Sequence, residues 1–201
     1  ISDPYAVFKT IDKNNISTAE LSSHLISEYL NIIEQNKGMK FSLKSLRLIW
    51  AAGGKDENCL LQRWKKQYDH IKYWIAYGST ELQMRLNRDG WDNLKEKREV
   101  EGLPCLNTQA YILDSHKNLL PPGIPGELFI SGDGLARGYL NDPGRTDQKF
   151  LSHPYIKGKK IFRTGDRAQI HIDGNIEIFG RMDNMVKLRG QRIELGEIYN
   201  I

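Results

Sequence analysis

Three short runs carry residue types that suit a nucleotide. Tyr77-Gly78-Ser79-Thr80-Glu81 sets an aromatic ring, two hydroxyls and a carboxylate on one flexible turn. Hydroxyls can donate to a phosphate, a carboxylate can hold magnesium beside it, and a tyrosine face can stack on a flat base. The same run also reads as a capped strand-to-helix turn with an exposed glutamate. In Phe162-Arg163-Thr164-Gly165-Asp166 a carboxylate follows a glycine. Such a carboxylate can accept two hydrogen bonds from a ribose diol, as acidic residues do in dinucleotide folds, or it can be an ordinary turn aspartate. Gly180-Arg181-Met182-Asp183 offers a planar guanidinium to phosphate or ribose. The charged stretch behind it, residues 186–197, also fits a solvated face whose exchangeable ion pairs contribute little. Residues 126–139 are dense in glycine, which permits tight turns and close backbone approach. No GxxxxGK[ST] phosphate loop is present there, and an irregular structural loop is the alternative.

The elements that would position these runs can be read from periodicity. Ser17 with Glu20 forms a capping box, predicting a helix that carries Leu21, Leu25, Tyr29 and Ile33 on one side and stops near Gly38. Residues 46–52 are nearly all apolar, as in a strand buried on both faces. Gly53 and Gly54 end it, and Asp56 can cap a second helix bearing Leu60, Leu61, Trp64 and Tyr68. Residues 71–77 form a second strand ended by Gly78. A strand–helix–strand unit makes its strands parallel, so their carboxyl ends share one sheet edge, where open α/β sheets bind ligands. That logic brings the Gly53-Gly54 turn and the Tyr77–Glu81 turn together. Residues 82–99 are charged and aperiodic and read as a loop or a poorly defined helix. After Val100 the pattern turns to strands and turns: residues 111–113, a turn over 114–118, a long turn over 121–126 and a strand over 127–131. Residues 168–178 alternate about Asp173-Gly174, as in a β-hairpin with a primed-type turn. This half reads as a small antiparallel sheet or barrel.

The 201 residues suffice for one domain or two small ones. At 39% hydrophobic and 27% charged, the composition is that of a soluble globular protein. No apolar run approaches the roughly 18 residues of a membrane span. A net charge of +4 with scattered basic residues does not point to nucleic acid. Cys59 and Cys105 have no metal-binding spacing and fit a reducing, cytoplasmic setting. The five histidines share no spacing, and no Ser/His/Asp set stands out. Ile1 is not a start residue and Ile201 falls inside a patterned segment, so both ends read as cut from a longer chain.

Taken in order, the runs resemble the adenylate-forming superfamily, and most closely the adenylation domains of nonribosomal peptide synthetases. The YGPTE-like turn is met at residues 77–81, the GELxIxGxGxARGY segment at 126–139, and the RTGD turn at 162–166. The GRxDxxVKxRGxRIELGEI segment is met at 180–198, and an NTxxYILD stretch at 107–114. The resemblance implies an α/β fold. Residues 1–99 would be part of the large α/β subdomain, 100–182 its β-barrel subdomain, and 183–201 the hinge, with Asp183, and a stub of the C-terminal lid. Carried over by position, Glu81 would bind magnesium, Thr80 a phosphate oxygen, Asp166 the ribose hydroxyls, and Arg181 ribose or phosphate. Tyr77 and Ile178 would sandwich the adenine, with Gly53, Gly54 and Gly78 at its edge. Trp50, Ala52, Ala76 and Met84, with Arg85 beside them, would line the substrate pocket.

The resemblance further implies that ATP and a carboxylate substrate, an amino acid, give an acyl-adenylate and pyrophosphate. The acyl group then passes to phosphopantetheine on a carrier domain, with a condensation domain in the same parent chain. Ile75 stands where these domains often carry an adenine-binding asparagine, and Lys55 where an acidic residue is usual. The family's upstream phosphate loop and downstream catalytic lysine fall outside residues 1–201; Lys187 belongs to the hinge segment. The 201 residues alone are therefore expected not to catalyse. An acyl-coenzyme A or aryl-acid ligase of the same superfamily, and a degenerate domain kept as a scaffold, are the alternatives.

Overall fold

The computed structural model describes residues 3–52, 57–96, 100–182, 185–188 and 191–194. These fall into two compact units. The first comprises Ile1–Ala76, Arg88–Glu99 and Lys187–Gln191, and the second Tyr77–Asn87, Val100–Val186 and Arg192–Ile201.

The first unit lays helices on a parallel sheet. Helix α1 (Pro4–Lys13) starts where Asp3 accepts a hydrogen bond from the Tyr5 amide and Pro4 supplies a φ suited to the first turn. The predicted capping box at Ser17 and Glu20 is not used. Residues Thr18–Ser22 form strand β1, and its inward side chains Ala19 and Leu21 pack on the core. The reason is tertiary: Thr18–Ser22 pairs in parallel with β2 (Leu48–Ala52), and the Arg47 amide donates to the Ser17 carbonyl. The cap of helix α2 (Ser23–Gln35) is Ser22, whose hydroxyl accepts from the Leu25 amide at 3.2 Å. Ile26, Tyr29, Leu30 and Ile33 form its buried stripe.

Helix α3 (Glu57–Gln67) buries Leu60, Leu61 and Trp64, with Tyr68 just after it, as its apolar spacing predicts. Its cap at Asp56 lies outside the described residues. Strand β3 (Lys72–Ser79) pairs in parallel with β2, from Leu48↔Lys72 to Ala52↔Ala76. It runs through Gly78 rather than ending there. The sheet is not buried equally on both faces. Ile49, Ala51, Tyr73 and Ile75 pack into the helical core, whereas Trp50, Ala52 and Trp74 on the other face are half-buried. The stretch read as a loop or poorly defined helix instead holds strand β4 (Gln83–Asp89) followed by helix α4 (Gly90–Glu96). Gly90 lets α4 close on α3, since a Cβ there would fall 2.4 Å from Leu61 Cδ2.

The second unit is antiparallel. Strand β5 (Leu103–Pro104) pairs with the Leu86–Asn87 end of β4. Strands β6 (Thr108–Leu113), β7 (Gly126–Gly132), β9 (Lys160–Ile170) and β10 (Ile176–Arg181) make one sheet in the order β10-β9-β7-β6. Helix α5 (Pro143–Lys149) leads into β8 (Phe150–Ser152), which pairs with the first half of β9. Leu82, Leu86, Ile112, Leu128, Ile130, Phe150, Phe162, Ala168 and Ile176 form the core. Leu82 and Leu86 explain why residues 77–87 group here rather than with the first 76. The β9–β10 hairpin differs from the predicted primed turn. The Gly174 amide donates to the His171 carbonyl and Gly174 has φ +83°, while Asp173 keeps a negative φ. This is a longer loop closed by one left-handed glycine. Strands β11 (Met185–Leu188) and β12 (Gln191–Glu194) form a two-stranded sheet. No helix among the described residues is long and apolar enough to cross a membrane.

Candidate nucleotide site

Phe162–Asp166 is not a turn but part of β9, bent by a bulge. The β7–β9 register shifts between Glu127↔Arg167 and Phe129↔Arg163, so Leu128 alone faces three residues. The chemistry of Thr-Gly-Asp fits this place. Thr164, 4% exposed, donates its hydroxyl to the Leu128 carbonyl at 2.7 Å and accepts from the Asp166 amide at 3.0 Å. Gly165 takes φ +79°, a conformation glycine adopts without a steric penalty. The bulge re-aims the next side chain, a recurring use of such irregularities. That side chain is Asp166, 7% exposed.

A second irregularity, between Ile178 and Gly180, places Arg181 opposite Asp166 in the β9–β10 register. The Arg181 guanidinium donates to the Thr164 carbonyl at 2.8 Å and to Asp166 Oδ1 at 3.2 Å. The Tyr77 hydroxyl donates to Asp166 Oδ2 at 2.5 Å. Burial, then the neighbouring Asp166 charge, pushes the Tyr77 phenol well above its usual range, so it remains a donor. Tyr77, Asp166 and Arg181 thus meet directly within the second unit, and the Tyr77 and Ile178 side chains pack on the same core.

Glu81 is held separately. The Leu82 amide donates to the Ser79 carbonyl at 3.0 Å and closes the turn, leaving Ser79 and Thr80 exposed and Glu81 6% exposed. The turn joins two strands, not a strand and a helix, and its glutamate is buried. Its carboxylate accepts from the Tyr139 hydroxyl at 2.6 Å, and its backbone carbonyl from the Ala136 amide at 2.9 Å. Sequence spacing gave no sign of this partner, 58 residues away.

Glu101 was also missed. Its Oε2 accepts from the Ile178 amide at 2.9 Å, while its own amide donates to the Ile176 carbonyl. Burial pushes its carboxyl up to about 8, the charges of Glu177 and Asp166 adding to the effect.

In the first unit, Trp50, Ala52 and Ala76 share one face of β2 and β3, with Ala76 buried. Trp74, not predicted, joins them, with its ring 4.8 Å from that of Trp50 in an edge arrangement. Ile75 points the other way, into the core, and is 5% exposed. Gly53, Gly54, Lys55 and Asp183 lie outside the described residues, as do the side chains of Met84 and Arg85.

Within the second unit, then, one buried carboxylate carries a cation and a phenol on its two oxygens, and a second buried carboxylate, Glu81, accepts from the Tyr139 hydroxyl. The chain matches the family described as AMP-binding enzyme over residues 2–140, and it belongs to that family. It is 43% identical over 175 residues to bacitracin synthase 3 of Bacillus licheniformis, covering 87% of this chain and 3% of that protein. With tyrocidine synthase 1 of Brevibacillus parabrevis it shares 42% over 163 residues, 79% of this chain and 14% of that protein. Among solved structures, PA1221, an NRPS protein containing adenylation and PCP domains, superposes with a TM-score of 0.84 at 27% identity. That match covers 100% of this chain and 40% of PA1221. The chain therefore spans a small part of the relatives it matches.

Proposed function

We propose that the protein carrying this chain activates an amino acid with ATP for loading onto a carrier domain. A substrate carboxylate oxygen bonds to the α-phosphorus as the bond from that phosphorus to the pyrophosphate oxygen breaks, giving an aminoacyl-adenylate. A phosphopantetheine thiol on a peptidyl carrier domain then takes the acyl group, and AMP leaves. The observation that carries this reading is the direct hydrogen-bonded set of Tyr77, Asp166 and Arg181, from three separate sequence motifs. In it Asp166 holds the ribose hydroxyls, Arg181 the ribose or phosphate, and Tyr77 with Ile178 the two faces of adenine. Thr80, exposed on its turn, reaches a phosphate oxygen. Trp50, Ala52 and Ala76, on one face of β2 and β3, are the residues read as meeting the amino acid.

Magnesium fits Glu81 as a lone protein ligand. The described residues contain no group of three or more His, Cys, Asp and Glu side chains placed to hold a metal. A single buried, hydrogen-bonded carboxylate is what magnesium uses when phosphate oxygens and water complete its shell. Bound there, it would neutralise triphosphate charge. The chain's own contribution is positioning and electrostatic complementarity at the nucleotide. The likeness to bacitracin and tyrocidine synthases, and PA1221's pairing of adenylation with PCP domains in an NRPS protein, favour the amino-acid branch and a carrier partner. Residues from 183 on, in this reading, begin the hinge and lid.

The test is amino-acid-dependent ATP–pyrophosphate exchange by the full protein. Exchange with at least one amino acid, lost on Asp166→Asn with the fold intact, is expected. Absence of exchange together with absence of ATP binding by calorimetry would favour a scaffold.

A further inference from the structure

The glycine-dense segment ending at Tyr139 has no phosphate-loop pattern, yet it converges on one acidic residue. Its Ala136 amide fixes the Glu81 backbone carbonyl, and its Tyr139 hydroxyl fixes Glu81 Oε1. We propose that Tyr139 is a positioning residue for the Glu81 carboxylate, holding it in the orientation that receives the divalent cation of the nucleotide. This rests on the reading of Glu81 as a magnesium ligand.

Tyr139 is itself over-determined. Its amide donates to Thr146 Oγ1 at 2.8 Å, and that hydroxyl donates to the Asp142 carbonyl at 2.8 Å. Its ring meets Phe150 edge-on at 5.7 Å and lies under the Arg145 guanidinium at 4.7 Å. Gly138 makes the approach possible: it has φ +149°, and a Cβ there would fall 2.5 Å from Thr146 Cγ2. Helix α5, which carries Thr146 and Arg145, thereby locks the tyrosine that locks the glutamate. A phenol hydrogen bond to one carboxylate oxygen fixes which oxygen faces outward, as the hydrogen-bond partners of metal ligands do.

The test uses the full protein, with Mn2+ as the probe and a non-hydrolysable ATP analogue. Binding of Mn2+ to the nucleotide complex is followed by electron paramagnetic resonance, and analogue binding without metal by calorimetry. Tyr139→Phe keeps the ring contacts and should weaken Mn2+ about 10- to 100-fold, the usual effect of losing such a partner, while metal-free analogue affinity is unchanged. Unchanged Mn2+ affinity overturns the proposal. So does an equal loss of both affinities, which would mean a purely structural role. Glu81→Gln separates the layers. If it lowers Mn2+ affinity and Tyr139→Phe does not, only the positioning role fails. If Glu81→Gln has no effect, the metal reading fails and the positioning role with it. Should Tyr139→Phe not fold, Thr146→Val, which loosens the Tyr139 backbone, replaces it and must weaken Mn2+ selectively for the proposal to stand.

Discussion

Replacing Glu101 by glutamine tests how the end of β10 that carries Arg181 is built. The Glu101 carboxylate serves as a substitute strand, accepting from the Ile178 amide just before the irregularity that delivers Arg181 to Asp166. Burial raises its carboxyl from the ordinary 4.5 to about 8. The folded protein therefore holds this proton more tightly than the unfolded chain does. Its stabilising contribution is complete below about pH 4.5 and is lost as pH rises toward and through about 8. Each tenfold step in proton affinity is worth about 1.4 kcal/mol, so the full swing has a ceiling on the order of 5 kcal/mol. Glutamine cannot ionise, and its amide oxygen can still accept from Ile178. Glu101→Gln should match the parent near pH 5 and exceed it in stability by a few kcal/mol near pH 9. Hydrogen exchange of the β10 amides, variant against parent at each pH, reads the right place. A difference in protection that does not change between pH 5 and pH 9 would refute the reasoning.

Other substitutions probe the remaining supports. Thr164→Val removes the hydroxyl that bridges the Leu128 carbonyl and the Asp166 amide, and should cost about 1–3 kcal/mol in thermal or denaturant unfolding. Arg181→Ala leaves the Asp166 carboxylate buried without its cation; a loss of about 3 kcal/mol in stability is expected, together with weaker ATP binding by calorimetry. Gly138→Ala drives a methyl into Thr146 at φ +149°, and a loss of about 1–3 kcal/mol should appear as a lower Tm. Tyr77→Phe keeps the ring but removes the donor to Asp166. Because the phenol stays protonated, the resulting loss of ATP affinity should be the same at pH 6 and pH 9.

Much of the local architecture was written in short stretches of sequence. The α3 stripe of Leu60, Leu61 and Trp64, the apolar run of β2, the alternation across β9 and β10, and the order of the motif runs all depend on spacings of a few residues. Periodicity alone reads such spacings. The resemblance of motifs also singled out Tyr77, Asp166 and Arg181, which the fold joins by hydrogen bonds. Tertiary structure decided the rest. Ser17 and Glu20 have the chemistry of a helix cap, but pairing with β2 made the segment a strand and passed the cap to Ser22. Residues 83–96, patternless by themselves, became β4 and α4 through partners elsewhere in the chain. The Tyr139 bond to Glu81 spans 58 positions, and the Tyr77 bond to Asp166 spans 89. The proton affinity of Glu101 depends on which strands enclose it. Propensity and capping act within a turn of chain, whereas desolvation and hydrogen-bond partnership are set by whatever the fold brings alongside.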